Sequence, residues 1–167
     1  MFREMRRKAQ QLSREECEEI LRNATSGVLG VIGDDGYPYT VPVSHVYRDC
    51  VIAFHCAKTG HKIDAIRNNE KVSFCVIAQD EVMPKERTTA YISVIAFGRA
   101  RIVEDEEGLR RIAGWIGEKF SHDYPDECQQ ETDEVIAANR MYCVELQIDH
   151  MTGKCGRQVL LRRKIKD

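Results

Sequence analysis

The stretch Tyr37–Arg67, YPYTVPVSHVYRDCVIAFHCAKTGHKIDAIR, decides how this chain is to be read. It holds two runs rich in aromatic and β-branched residues, Tyr37–Tyr47 and Cys50–Cys56, parted by a turn at Arg48-Asp49. Such runs, bounded by turn residues, read as antiparallel strands. A short loop with Lys58, Thr59, Gly60, His61 and Lys62 then opens a helix that closes at Asn68-Asn69. A helix start leaves backbone N–H groups unpaired and favours negative charge, so this corner is a candidate seat for a phosphate-bearing cofactor. Gly60 permits close backbone approach, Lys62 brings a full positive charge and His61 a switchable one.

Pro42 sits in the middle of the Tyr37–Tyr47 run, and a proline cannot donate to a strand ladder. Its place is therefore an edge or a bulge. The proline either protects that edge or marks a place where a ligand uses neighbouring amides, for which Val41 and Val43 are the expected donors. The three histidines His45, His55 and His61 follow no zinc or iron spacing, and no metal site is expected. His55 and Cys56 are adjacent in a strand and point to opposite faces, which rules out a nucleophile pair.

Working outward, Ser13 and Glu16 form a capping-box pattern ahead of a helix over 14–24, with Cys17, Ile20, Leu21 and Ala24 on one face. Gly27–Ile32 is the first strand, and Gly33-Asp34-Asp35-Gly36 turns it into Tyr37–Tyr47. Lys71–Ala78 and Thr88–Val103 are further strands, with a charged loop Gln79–Arg87 between them. Asp105–Phe120 reads as a helix, Glu131–Ala138 as a short one, and Arg140–Ile148 as the last strand. The N-terminal residues 1–12 form a basic arm, and 156–167 a basic tail that reads as a solvated strand end. The expectation is a single domain over 1–167, mainly β with flanking helices (α+β): a small six-stranded antiparallel barrel. In Ala90–Phe97 both alternating faces are mostly apolar, which points to a second subunit covering one of them.

The bulk numbers exclude several classes. With 167 residues, 43% apolar and 31% charged, the chain is long enough to bury a core. A net charge of −2 gives no electrostatic case for nucleic acid. No apolar run reaches membrane-spanning length, and the start lacks the apolar core of a signal peptide. Seven scattered cysteines without a CxxC pair read as free thiols, with Cys56, Cys75 and Cys143 buried, in a reducing cytoplasm.

At these residues the chain resembles the FMN-binding split-barrel proteins related to pyridoxamine 5′-phosphate oxidase, and within them the nitroimidazole-reductase group. The resembling segments are MFREMRRK, GDDGYPYTVPVSHVY, FHCAKTGHKIDAIRNNEKVSF, SVIAFGRARIVED and the late IDHMTGK. The resemblance implies a homodimer with FMN in each of two clefts at the subunit interface; FAD is an alternative cofactor that the residues leave open. It places the flavin along Thr40, Val41, Pro42, Val43, Ser44 and His45. It puts His55 and Cys56 beside the cofactor, His61 and Lys62 at the phosphate, and Ser93 at the flavin from the doubly apolar strand. It implies an oxidoreductase in which NAD(P)H reduces the flavin and the flavin reduces a small acceptor such as a nitroaromatic. His61 is the one titratable catalytic candidate. A flavin- or haem-binding module without turnover is the alternative. Thr40 stands where the oxidase pattern has arginine, and His61-Lys62 replaces its Arg-Lys pair. The oxidase's terminal substrate segment has no counterpart, so oxidation of pyridoxamine phosphate is not expected.

Overall fold

The computed structural model describes residues 2–164, with side chains through Arg162. Its centre is one antiparallel sheet of seven strands in the order β2-β1-β5-β6-β7-β4-β3, with five α-helices around it. The strands are β1 (Ser26–Ile32), β2 (Pro38–Ser44), β3 (Val46–Arg48), β4 (Val51–Ala57), β5 (Lys71–Met83), β6 (Thr88–Val103) and β7 (Met141–Cys155). The helices are α1 (Arg14–Asn23), α2 (His61–Asn68), α3 (Glu106–Phe120), α4 (Pro125–Ala137) and α5 (Arg157–Lys164).

Seven strands replace the expected six because Tyr37–Tyr47 breaks at His45. Its first part pairs with β1 and its second with β4. The two outermost strands of the sheet, β2 and β3, are thus consecutive in the chain. Covalent continuity at His45 brings the two edges of the sheet together, which gives a curled sheet fitting a split barrel.

The local signals explain most elements. The Ser13 hydroxyl accepts from the Glu16 N–H at 3.1 Å, and the Ser13 N–H donates to the Glu16 carboxylate at 2.7 Å. This satisfies two donors at the start of α1 and turns Cys17 and Leu21 into the core, with Ile20 and Ala24 packed beside them. Asp105 caps α3 by accepting from Gly108 N–H at 2.8 Å. The β3–β4 turn uses Asp49 and Cys50 at φ 50° and 64°, the positive values that tight hairpins need.

Four further expectations are corrected. Gln79–Arg87 is not all loop: β5 runs on to Met83 past a bulge between Ile77 and Gln79, pairing with Thr88–Ile92. The last strand extends to Cys155, past an irregularity opposite Phe97/Gly98. The helix expected from Glu131 begins at Pro125, whose missing N–H is harmless in a first turn. The tail is a helix, not a strand end: Val159 is buried, and Arg162 grips Glu81 with two bonds of 2.6 and 2.9 Å. Residues 165–167 of that tail lie outside the described residues.

The main core fills the sheet's concave side, with Leu29, Phe54, Phe74, Val94 and Leu146 nearly or fully inaccessible. A second cluster, Ala53, Val103, Ile112 and Cys143 among it, seats α3 on the outside of β4 and β7. Cys143 is buried as expected, whereas Cys56 and Cys75 are only half-buried. No helix among the described residues is long and apolar enough to cross a membrane.

Candidate functional site

The break at His45 creates the site. Val46 pairs with Ala53, so β3 covers the free edge of β4 only that far. Beyond it, β2 and the end of β4 diverge and leave a split between two strand edges.

Ladder alternation fixes which backbone groups face the split. The Gly33 N–H donates to the Tyr37 carbonyl at 2.8 Å, in the same register that sets Leu29 opposite Val41 and Gly27 opposite Val43. Alternate residues of an antiparallel strand turn their polar groups to the same neighbour, so the Val41 and Val43 amides face β1. The sequence expectation is thereby reversed: the outward amides on β2 are those of Thr40 and Ser44, with Pro42 contributing none. On β4, the Cys50 carbonyl accepts from Ile148 N–H at 3.0 Å, which turns the even-numbered residues toward β7. The His55 and Ala57 amides therefore face the split from the other side.

Side chains alternate in step. Tyr39, Val41 and Val43 pack half-buried on the core, while Thr40, Pro42 and Ser44 are exposed on the outer face. His45 is a further correction. It is fully buried, its Nε2 lies 3.0 Å from the Leu21 carbonyl, and its ring meets Phe74 edge-on at 4.9 Å. Burial, with the Lys119 ammonium nearby, pushes its pKa down to about 4. His45 pins this end of the split with a ring packed into the core.

The far end is closed by a contact the sequence did not announce. The His61 ring stacks on Tyr39 at 4.2 Å and 20°, and its Nε2 lies 3.7 Å from Asp34 Oδ2. Gly33 makes this possible, since a Cβ there would stand 2.8 Å from that Nε2. Next to it α2 begins at Gly60, whose φ of 128° suits glycine and which has no capping side chain. Ile63 and Asp64 both donate to the Gly60 carbonyl, leaving the His61 and Lys62 amides as first-turn donors without a helical partner. Lys62 is half-buried and close enough to Cys56 that its charge partly offsets the upward push of burial on that thiol.

Ser44, His55 and Cys56 also line a cavity of about 600 Å³ walled by α3, α4 and the start of β7. Nothing in the sequence signalled it, because its walls come from separate elements. Ser93 lies elsewhere. It is half-buried on the outer face of β6, opposite Ile77 and Lys154, and in the sheet β5 and β1 separate it from β2. On that same face Ile95, Phe97 and Ile77 are 40%, 38% and 66% exposed, an apolar surface uncovered in the single chain. Phe2 of the N-terminal arm stacks there on His150 at 4.7 Å and on Phe97 at 5.6 Å. Among the described residues no group of three His, Cys, Asp or Glu is placed to hold a metal.

A family model described as pyridoxamine 5′-phosphate oxidase matches residues 13–155. The match spans the split and every strand, and the chain belongs to this family. A conserved hypothetical protein of Mycobacterium tuberculosis has the same fold, with TM-score 0.79, 23% identity, and 93% of this chain and 92% of that one covered. A proposed 5-nitroimidazole antibiotic resistance protein of Bacteroides thetaiotaomicron gives 0.71, 21%, 87% and 86%. An FAD- and haem-binding protein of Mycobacterium smegmatis gives 0.69, 19%, 89% and 74%. Curated proteins provide no match.

Proposed function

We propose that this chain is an FMN-dependent oxidoreductase that acts as a homodimer and passes electrons from NAD(P)H to a small organic acceptor such as a nitroimidazole or another nitroaromatic. One observation carries the reading. The split is walled by unpaired amides of Thr40 and Ser44 on one side and of His55 and Ala57 on the other, and it ends beside the Lys62 ammonium and two free helix-start amides. That donor set fits a planar, hydrogen-bonding ring system attached to a phosphate.

In this reading the Lys62 charge and the first-turn amides hold the phosphate. The amides of Thr40 and Ser44, with the hydroxyls of both, bind and orient the rest of the cofactor. Val41 and Val43 act through the core, as the floor of β2. His61 closes the far end of the split through Tyr39 and takes no proton-transfer role. Flavin supplies the hydride and electron chemistry when bound, so the chain need only bind, orient and exclude water. A second copy of the chain would cover Ile77, Ile95 and Phe97 and bring its Ser93 toward the split. The family membership and an FAD-binding protein of Mesorhizobium loti, with TM-score 0.62 and 24% identity, support a flavin. FMN is proposed over FAD because, among the described residues, Lys62 is the cation at the end of the split, suited to one phosphate.

A binding module without turnover is the second reading, favoured by the FAD- and haem-binding neighbour. Mixing the purified yellow protein with NADH or NADPH separates the two. Bleaching of the flavin absorbance, with turnover on a nitroimidazole, supports the oxidoreductase. Oxidation of NAD(P)H no faster than by free FMN refutes it.

A further inference from the structure

The cavity beside the split has a composition of its own. Its wall is apolar, built from Ile116 and Phe120 of α3, Val135 of α4 and Met141 of β7. At about 600 Å³ it has the size of pockets that take one- or two-ring molecules. Its polar residues are spread around the lining, with Ser44 and His55 on the strand side, Ser121 past the end of α3, Glu131 and Thr132 on α4, and the one cation, Arg140, just after α4. Arg140 forms no ion pair among the described residues. The neighbouring Asn139 accepts from the Lys58 ammonium at 2.6 Å, which brings a second cation to that end of α4. Glu131 of α4 is the acidic group on the lining, and it forms no ion pair among the described residues.

We infer that this cavity is the acceptor pocket, and that it selects a flat aromatic ring carrying one carboxylate or nitro group directed at Arg140. Its role as acceptor pocket rests on the flavin reading above; its ligand chemistry rests on the cavity alone. The apolar wall receives the ring. The planar guanidinium matches two oxygens on one carbon or nitrogen, a geometry that carboxylate and nitro groups share. Ser44, His55 and Ala57 belong both to this lining and to the wall of the split, so a ring held here would abut whatever occupies the split.

Calorimetric titration of the protein as purified, with benzoate and with neutral benzamide, tests this. The wild type is expected to bind the carboxylate about tenfold more tightly than the amide, the scale of one charged hydrogen-bonded contact. Arg140→Gln changes an exposed side chain and should erase that preference while retaining both rings. Val135→Trp fills the cavity and should abolish binding of both probes, with flavin content per protomer unchanged. Probe binding by a chain that carries no flavin would support the pocket and remove the oxidoreductase reading. Absence of binding to the wild type, or undiminished binding to Val135→Trp, would overturn the inference. So would loss of flavin together with probe binding in Val135→Trp, because the cavity would then be the cofactor's own.

Discussion

Acidification should strike this protein first at His45. The imidazole is fully buried, donates from Nε2 to the Leu21 carbonyl in its neutral form, and has an Nδ1 without a partner. The Lys119 ammonium, which donates to the His45 carbonyl at 3.0 Å, repels a second positive charge. Burial and this repulsion lower the pKa from 6.5 to about 4. Between those values the unfolded chain binds the proton and the folded chain does not, so stability rises with pH across this window. The contribution is complete above the unfolded value and is lost as pH falls through the folded one. The full window corresponds to about 3 kcal/mol, and roughly 2 kcal/mol of it is lost on going from about pH 7.5 to about pH 5. Urea unfolding followed by the lone Trp115, at fixed protein concentration, measures this. His45→Gln can still donate to Leu21 but cannot take a proton. Its loss of stability over the same pH change should be smaller than the wild type's by about 2 kcal/mol. Equal pH dependence in the two proteins would refute the assignment of a buried neutral imidazole.

Three other substitutions probe separate parts of the account. Gly98→Ala would drive a Cβ into the Gln147 carbonyl on the neighbouring strand. Backbone cannot yield cheaply there, and denaturant unfolding should show a loss of at least about 2 kcal/mol. Ser13→Ala removes half of the α1 capping box and should cost about 1 kcal/mol in the same assay, with the flavin content untouched. Lys62→Ala should weaken FMN binding by roughly 1.5–3 kcal/mol in a fluorescence titration, the worth of a charged hydrogen bond to phosphate; unchanged affinity would remove Lys62 from the site.

What could be read from the residues follows the range of the interactions involved. The Ser13/Glu16 box and the Gly33–Gly36 turn are local, and both lie where the sequence put them. The break at His45 was not legible, because a strand that changes partners keeps the same apolar pattern on both sides of the change. The amide directions on β2 were misassigned for a related reason: Pro42 marks an edge or a bulge, but only the pairing of Leu29 with Val41 shows which amides face outward. Gln79–Met83 looked like loop because Asp80 and Glu81 are charged, yet both are exposed and β6 supplies the ladder. Within the site, the Tyr39–His61 stack and the cavity behind His55 join residues far apart in the chain, so no local pattern encodes them.

Native mass spectrometry of the purified protein tests the central claim most directly, because it reads subunit count and bound small molecules together. The account predicts a dimer carrying two molecules of the mass of FMN, which leave when the protein is denatured. A monomer that carries no flavin, and takes up none when FMN is added, would contradict it.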